Sequence, residues 1–100
     1  MIRHKFKSII TERDGLKLRS KKEAAYYDQL KLLVRSGQVV MFLRQPRFDL
    51  PGGMTYSADF LEFWSDGTCR VVDVKGYATK DFVRNKKLVE ALYPVTIETP

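Results

Sequence analysis

The chain has 100 residues, 44% of them hydrophobic and 30% charged, and a formal charge of +6. This length supports one domain with one core. No apolar run approaches the ~20 residues of a membrane span and no signal-peptide h-region opens the chain, so no membrane partner is expected and a cytoplasmic setting fits.

Residues 6–10 and 16–19 flank Asp14-Gly15, a strong hairpin signal. Ser20-Lys21-Lys22-Glu23 then reads as a helix start, with serine as N-cap and glutamate three residues later. The helix is expected to run to about Ser36 and to stop at Gly37, with Tyr27, Leu30, Leu33 and Val34 as its apolar stripe. Residues 39–43 look like a strand. Gln45-Pro46 interrupts it, 48–50 continues extended, and Pro51-Gly52-Gly53 marks a turn.

Residues 56–64 and 69–75 read as the next two strands, joined through Ser65-Asp66-Gly67 in a three-residue loop with glycine in the left-handed position. Thr79 caps a second helix over about 80–92, whose apolar positions are Phe82, Val83, Leu88, Ala91 and Leu92. Pro94 ends it, and 95–98 forms a final strand. The order is hairpin, helix, three strands, helix, strand. It predicts an α/β fold: a central mixed β-sheet flanked by two helices, with an N-terminal β-hairpin and a parallel crossover through the second helix. One domain spans 1–100, with 1–19 as a hairpin arm and 20–98 as the core.

The chemistry concentrates in Val71-Val72-Asp73-Val74-Lys75-Gly76. Residues 73 and 75 leave the same face of a strand, which sets a carboxylate beside an ammonium in a segment otherwise built for burial. Buried charge is costly unless it is paired or holds a metal. The three-residue loop sets the register of the preceding strand so that Asp59 lies opposite Asp73, and directly opposed residues project to one face. Asp59, Asp73 and Lys75 then converge, whereas a one-residue slip would separate them. Such a site can bind a divalent cation and set a fixed positive charge beside it, as phosphodiester hydrolysis requires. The plainer readings are an ion pair between Asp73 and Lys75 and a turn-capping or arginine-paired Asp59. Glu23 fits a capping box completely, so on the residues alone a cap is favoured over a site residue.

Other groups carry less. Cys69 is the single cysteine, which excludes an intrachain disulfide or a cysteine-based zinc site and suits packing in or beside a strand. His4 is the single histidine and reads as a surface residue. Basic residues cluster at 3–7, 17–22 and 80–87. They suit a polyanion such as nucleic acid, and equally a solvated surface. Lys21, Lys22, Arg47, Lys80, Lys86 and Lys87 are the candidate nucleic-acid contacts.

The ordered set resembles the PD-(D/E)xK nuclease superfamily, and within it the small phage endonuclease I-like proteins, which include Holliday-junction-resolving enzymes. The residues that carry the resemblance are Ser20-Lys21-Lys22-Glu23-Ala24, Gln45-Pro46-Arg47-Phe48, Tyr56-Ser57-Ala58-Asp59-Phe60 and Val72-Asp73-Val74-Lys75-Gly76, with Lys86-Lys87-Leu88 and Ala91-Leu92-Tyr93-Pro94 also similar. It covers about residues 11–94. Two departures stand out: Asp73 occupies a position where the superfamily often has glutamate, and Ala58 replaces the proline that often precedes the first aspartate.

The resemblance implies a restriction-endonuclease-like core and a Mg²⁺- or Mn²⁺-dependent DNA endonuclease, structure-selective on branched DNA. Asp59 and Asp73 would hold the metal, with the Val74 carbonyl as a further ligand, and Glu23 would bind a second metal or orient a water. Lys75 would position the attacking water and stabilise charge on the phosphate. A chain this small covers little DNA, and cutting two strands symmetrically requires two active sites, so a homodimer is expected, with the hairpin as a candidate dimer or exchange element. The setting would be the host cytoplasm if the chain is phage-encoded. The competing expectation is a non-catalytic nucleic-acid-binding accessory protein that retains the fold.

Overall fold

The structure, a computed structural model, describes residues 10–74 and 79–100. His4, the basic cluster at 3–7, most of the expected first strand, and Lys75 and Gly76 lie outside the described residues. Asp14 and Gly15 both adopt left-handed backbone, with φ of 52° and 78°. That pair makes the two-residue turn whose twist matches the flanking strands. Such a tight turn requires strand on both sides of it. β1 (Thr11–Arg13) therefore runs up to Asp14 and pairs with β2 (Leu16–Leu18), rather than stopping at residue 10 as the sequence suggested.

α1 (Lys21–Arg35) begins on Ser20, whose hydroxyl accepts from the Glu23 N–H at 3.1 Å, and ends at Ser36 with Gly37 left-handed at φ 84°. Ala24, Tyr27 and Leu30 are buried, and Leu33 and Val34 pack beside them, so the expected stripe faces the core. The hairpin is fastened to this helix. Tyr27 and Lys31 donate to the Asp14 carboxylate at 2.9 and 2.5 Å, and Arg13 pairs with Asp28 at 3.1 Å.

Five strands, not three, lie between the helices: β3 (Val39–Arg44), β4 (Arg47–Leu50), β5 (Met54–Ser57), β6 (Phe60–Trp64) and β7 (Cys69–Val72). From Met41 onward β3 pairs with β6, and β4 with β5, in one continuous offset: Arg44 faces Phe60 and Arg47 faces Ser57. They are two halves of one ribbon bent at Gln45-Pro46. Pro46 has no N–H to continue the ladder, and Gln45 turns left-handed at φ 56°. The opposite strand breaks at the same level, at Ala58-Asp59, so the stretch 56–64 is two strands. Across the bend the Gln45 N–H still donates to the Asp59 carbonyl and the Ala58 N–H to the Pro46 carbonyl.

The β6–β7 register is the expected one. Phe60 faces Val72, Phe63 faces Cys69, and Gly67 is left-handed at φ 89° in the connecting loop. β7 ends at Val72, short of the expected 75. α2 (Lys80–Leu92) starts on the Thr79 cap, and β8 (Ile97–Glu98) returns parallel to β7. The main sheet is thus mixed, in the order β3-β6-β7-β8, and the molecule is α/β. Cys69 opens β7 and is exposed. No helix among the described residues is long and apolar enough to cross a membrane.

Each helix covers one core. Under α1, Phe60 is fully buried against the rings of Tyr26, Tyr27 and Phe42 at centroid distances of 5.5, 6.5 and 5.9 Å. Burying a side chain of this size contributes about 2–3 kcal/mol. Under α2, Val71, Val89 and Ile97 pack with Leu50, Tyr56 and Ala58 from the outer half of the ribbon. The two cores meet at the end of the sheet where the ribbon bends and where β6 begins and β7 ends.

Candidate active site

Asp59 and Asp73 stand one step beyond the last β6–β7 pair, at this end of the sheet. The Asp59 N–H still donates to the Val72 carbonyl at 3.0 Å, and the Asp73 N–H to the Glu98 carbonyl at 2.9 Å. Backbone pairing thus holds both aspartates in place, while the bend frees the Asp59 side chain to accept from the Val74 N–H at 2.7 Å. Both carboxylates are buried, at 6% and 1% exposure. The two expected ligands therefore share one site.

Glu23 reaches the same site from the first turn of α1. Its carboxylate is 2% exposed and raises the Asp59 pKa. The capping box is only half formed: Ser20 caps the Glu23 N–H, but Glu23 Oε1 accepts from the Arg19 N–H at 3.0 Å instead of from Ser20. Glu23 Oε2 has no hydrogen-bond partner among the described residues, and the Arg44 guanidinium is 3.9 Å away. A buried carboxylate oxygen left in this condition is costly. Glu62 makes the contrast. It is equally buried, yet both its oxygens are satisfied, by Tyr26 Oη at 2.5 Å and Trp64 Nε1 at 2.9 Å. Glu62 braces α1 on the sheet, whereas Glu23 keeps one oxygen with no hydrogen bond among the described residues.

Sequence reasoning missed two residues here. Tyr56 of β5 is buried, its hydroxyl donates to Asp73 Oδ2, and its ring meets Phe82 of α2 at 6.3 Å. Burial first, and the bond to Asp73 second, hold the phenol above its ordinary range, so it remains a donor. No local signal links positions 56 and 73. Arg44 was legible in principle, because the ribbon register sets it opposite Phe60, next to Asp59. Of the remaining candidates, Val74 contributes its N–H to Asp59 and its side chain to the α1 core, and Lys75 lies outside the described residues. Lys21, Lys22, Arg47, Lys80 and Lys87 are exposed, whereas Lys86 pairs with Glu90 at 3.1 Å.

Burial pushes the Asp59 pKa up to about 7; the Val74 N–H opposes this, and the Asp73 and Glu23 carboxylates add to it. Neutral Asp59 is therefore favoured in the fold. Its ionisation carries no penalty near pH 4, and the penalty grows as pH rises towards 7 and is complete above it. In EDTA, the parent protein should lose stability relative to Asp59→Asn between about pH 4 and pH 7, by on the order of 2–4 kcal/mol at 1.36 kcal/mol per unit. Urea midpoints of the two proteins across this range test it. A constant difference would exclude a strained Asp59 carboxylate.

No curated protein and no solved structure matches the chain. A family model described as "Protein of unknown function (DUF1064)" matches residues 3–98. The chain therefore belongs to the DUF1064 family.

Proposed function

We propose that this chain is a metal-dependent DNA endonuclease with a restriction-endonuclease-like core, a single nuclease-like domain over 1–100 that carries its hairpin as an arm on the 20–98 core. One arrangement carries the reading. Two buried aspartates are held side by side by backbone pairing, and a third carboxylate beside them has an oxygen that accepts no hydrogen bond from a described residue and lies 3.9 Å from the Arg44 guanidinium. Oxygen donors of one charge, buried and mutually repelling, suit a hard divalent cation such as Mg²⁺ or Mn²⁺. No group of three or more His, Cys, Asp or Glu among the described residues could hold a metal. A cation held by these two carboxylates would take its remaining ligands from water and phosphate, as Mg²⁺ usually does.

Asp59 and Asp73 are the ligands in this proposal, with the Val74 carbonyl as a further one. When bound, the cation supplies Lewis-acid stabilisation of charge on the phosphate. Glu23 Oε2 accepts a proton from the attacking water and orients it, or contributes to a second cation. Lys75 positions the water and offsets charge on the phosphate, a role that rests on its place two residues after Asp73. Branched DNA is the substrate favoured by the resemblance, and symmetric cutting of two strands would require a homodimer, with the hairpin as the candidate exchange element. The test is cleavage of matched linear, nicked, flap and four-way-junction DNA with Mg²⁺ or Mn²⁺. Metal-dependent cutting supports the proposal. Salt-sensitive binding without cutting would favour the non-catalytic accessory protein.

Tyr56 orients Asp73 by its hydrogen bond, and partners of this kind typically tune metal affinity 10- to 100-fold. Tyr56→Phe should raise the Mn²⁺ concentration for half-maximal cleavage about tenfold and leave turnover at saturating Mn²⁺ nearly unchanged. An unaltered metal titration would make Tyr56 a packing residue only.

A further inference from the structure

The basic residues near position 80 do not act as one cluster. Lys86 turns to Glu90, but Lys80, Arg84 and Lys87 line a groove of about 390 Å³ on the outer face of α2, together with Thr79 and Val83. Val83 is 40% exposed and forms an apolar strip between the cations. Arg84 has one exposed ion pair, to Asp81 at 3.6 Å, and neither Lys80 nor Lys87 has an acidic partner among the described residues. The groove follows the helix for about 10 Å, given 1.5 Å per residue. On the opposite side of the same helix, Phe82 touches Tyr56, which donates to Asp73. The helix and the rings of Phe82 and Tyr56, whose centroids are 6.3 Å apart, thus lie between the groove and the acidic site.

We propose that this groove holds the sugar–phosphate backbone of a DNA duplex, with Lys80, Arg84 and Lys87 on consecutive phosphates and Val83 against the sugars. The proposal rests on the endonuclease reading for its choice of DNA, and it deepens that reading by naming the contacts. Three cations over this length match two or three phosphates of one strand, which recur every ~3.4 Å of duplex axis. A small anion would use one end of the groove and leave the rest uncompensated. The positive end of α2 adds to the same field. These contacts reach only phosphate and sugar, so they fix the track of the duplex without reading its sequence.

The experiment measures binding of a 20-base-pair duplex in EDTA as a function of salt, with melting temperature as the control for folding. Each of Lys80→Gln and Lys87→Gln should flatten the slope of log K against log salt by about 0.9, the value for one phosphate contact. Arg35→Gln, an exposed cation at the far end of α1, should leave the slope unchanged. An unchanged slope in a folded Lys80→Gln/Arg84→Gln/Lys87→Gln variant would overturn the groove, and metal-dependent cleavage by that variant would leave the endonuclease reading standing. A flattened slope in a protein that never cuts DNA would support the groove and remove the nuclease. A parent protein that binds no DNA overturns both.

Discussion

Asp73→Asn is expected to abolish metal-dependent cleavage, with turnover falling at least about a thousandfold, while the protein still folds and binds DNA. The substitution keeps the size and shape of the side chain, and the amide oxygen can still accept from the Tyr56 hydroxyl that now bonds Asp73. It removes the negative charge that would hold a cation beside Asp59. A thousandfold is about 4 kcal/mol at 1.36 kcal/mol per tenfold, which is reasonable for the loss of one of two anionic ligands in a site where the two carboxylates are only 6% and 1% exposed. Removing a charge that repels Asp59 should also leave the metal-free protein as stable as the parent or more so. Cleavage at the parent rate by a correctly folded Asp73→Asn would end the proposed mechanism, and no adjustment of Glu23 or Lys75 would restore it.

Local chemistry made most of the scaffold legible. The Ser20 and Thr79 caps, the left-handed glycine after α1 and the Asp14-Gly15 turn are decided within four or five residues, and each lies where the sequence pointed. The same holds for the register that brings Asp59 and Asp73 together. Gly67 fixes the loop, the loop fixes the pairing, and the side-chain period of two does the rest. The parallel β7–β8 pair follows from the length of chain between them, which accommodates a helical crossover.

What stayed hidden depends on distant partners. Tyr56, Ala58 and Phe60 alternate as a continuous strand would, and nothing among them announces the break at Asp59. The break comes from Pro46 on the opposite arm of the ribbon, which lacks the N–H needed to carry the ladder through. The bond from Tyr56 to Asp73 spans 17 positions and exists only once the bend has brought β5 under α2. Glu23 was ambiguous for a subtler reason. The capping-box spacing is satisfied in the sequence, yet the carboxylate passes Ser20 and accepts from Arg19, one residue further back. Spacing alone cannot distinguish these two neighbours of the same helix end.

That half-formed box makes Glu23→Gln the sharper test of what the residue does. The glutamine carbonyl can keep the bond from the Arg19 N–H that Glu23 Oε1 accepts at 3.0 Å. Its amino group would replace Oε2, the buried oxygen that has no hydrogen bond among the described residues and lies 3.9 Å from the Arg44 guanidinium. If Glu23 served the helix alone, the exchange would be nearly silent in cleavage, because the glutamine carbonyl keeps the one bond, from the Arg19 N–H, through which the side chain serves the helix end. If Oε2 orients the attacking water or helps to hold a cation, the neutral amide should lower turnover about a hundredfold, or roughly 2.7 kcal/mol, with a melting temperature close to the parent's. A second readout separates electrostatics from structure. Glu23 is one of the groups that raise Asp59, so the Asp59 pKa in the metal-free variant should move down from about 7. A lowered Asp59 pKa with undiminished cleavage would leave Glu23 as a neighbour of the site and confine the chemistry to Asp59, Asp73 and Lys75.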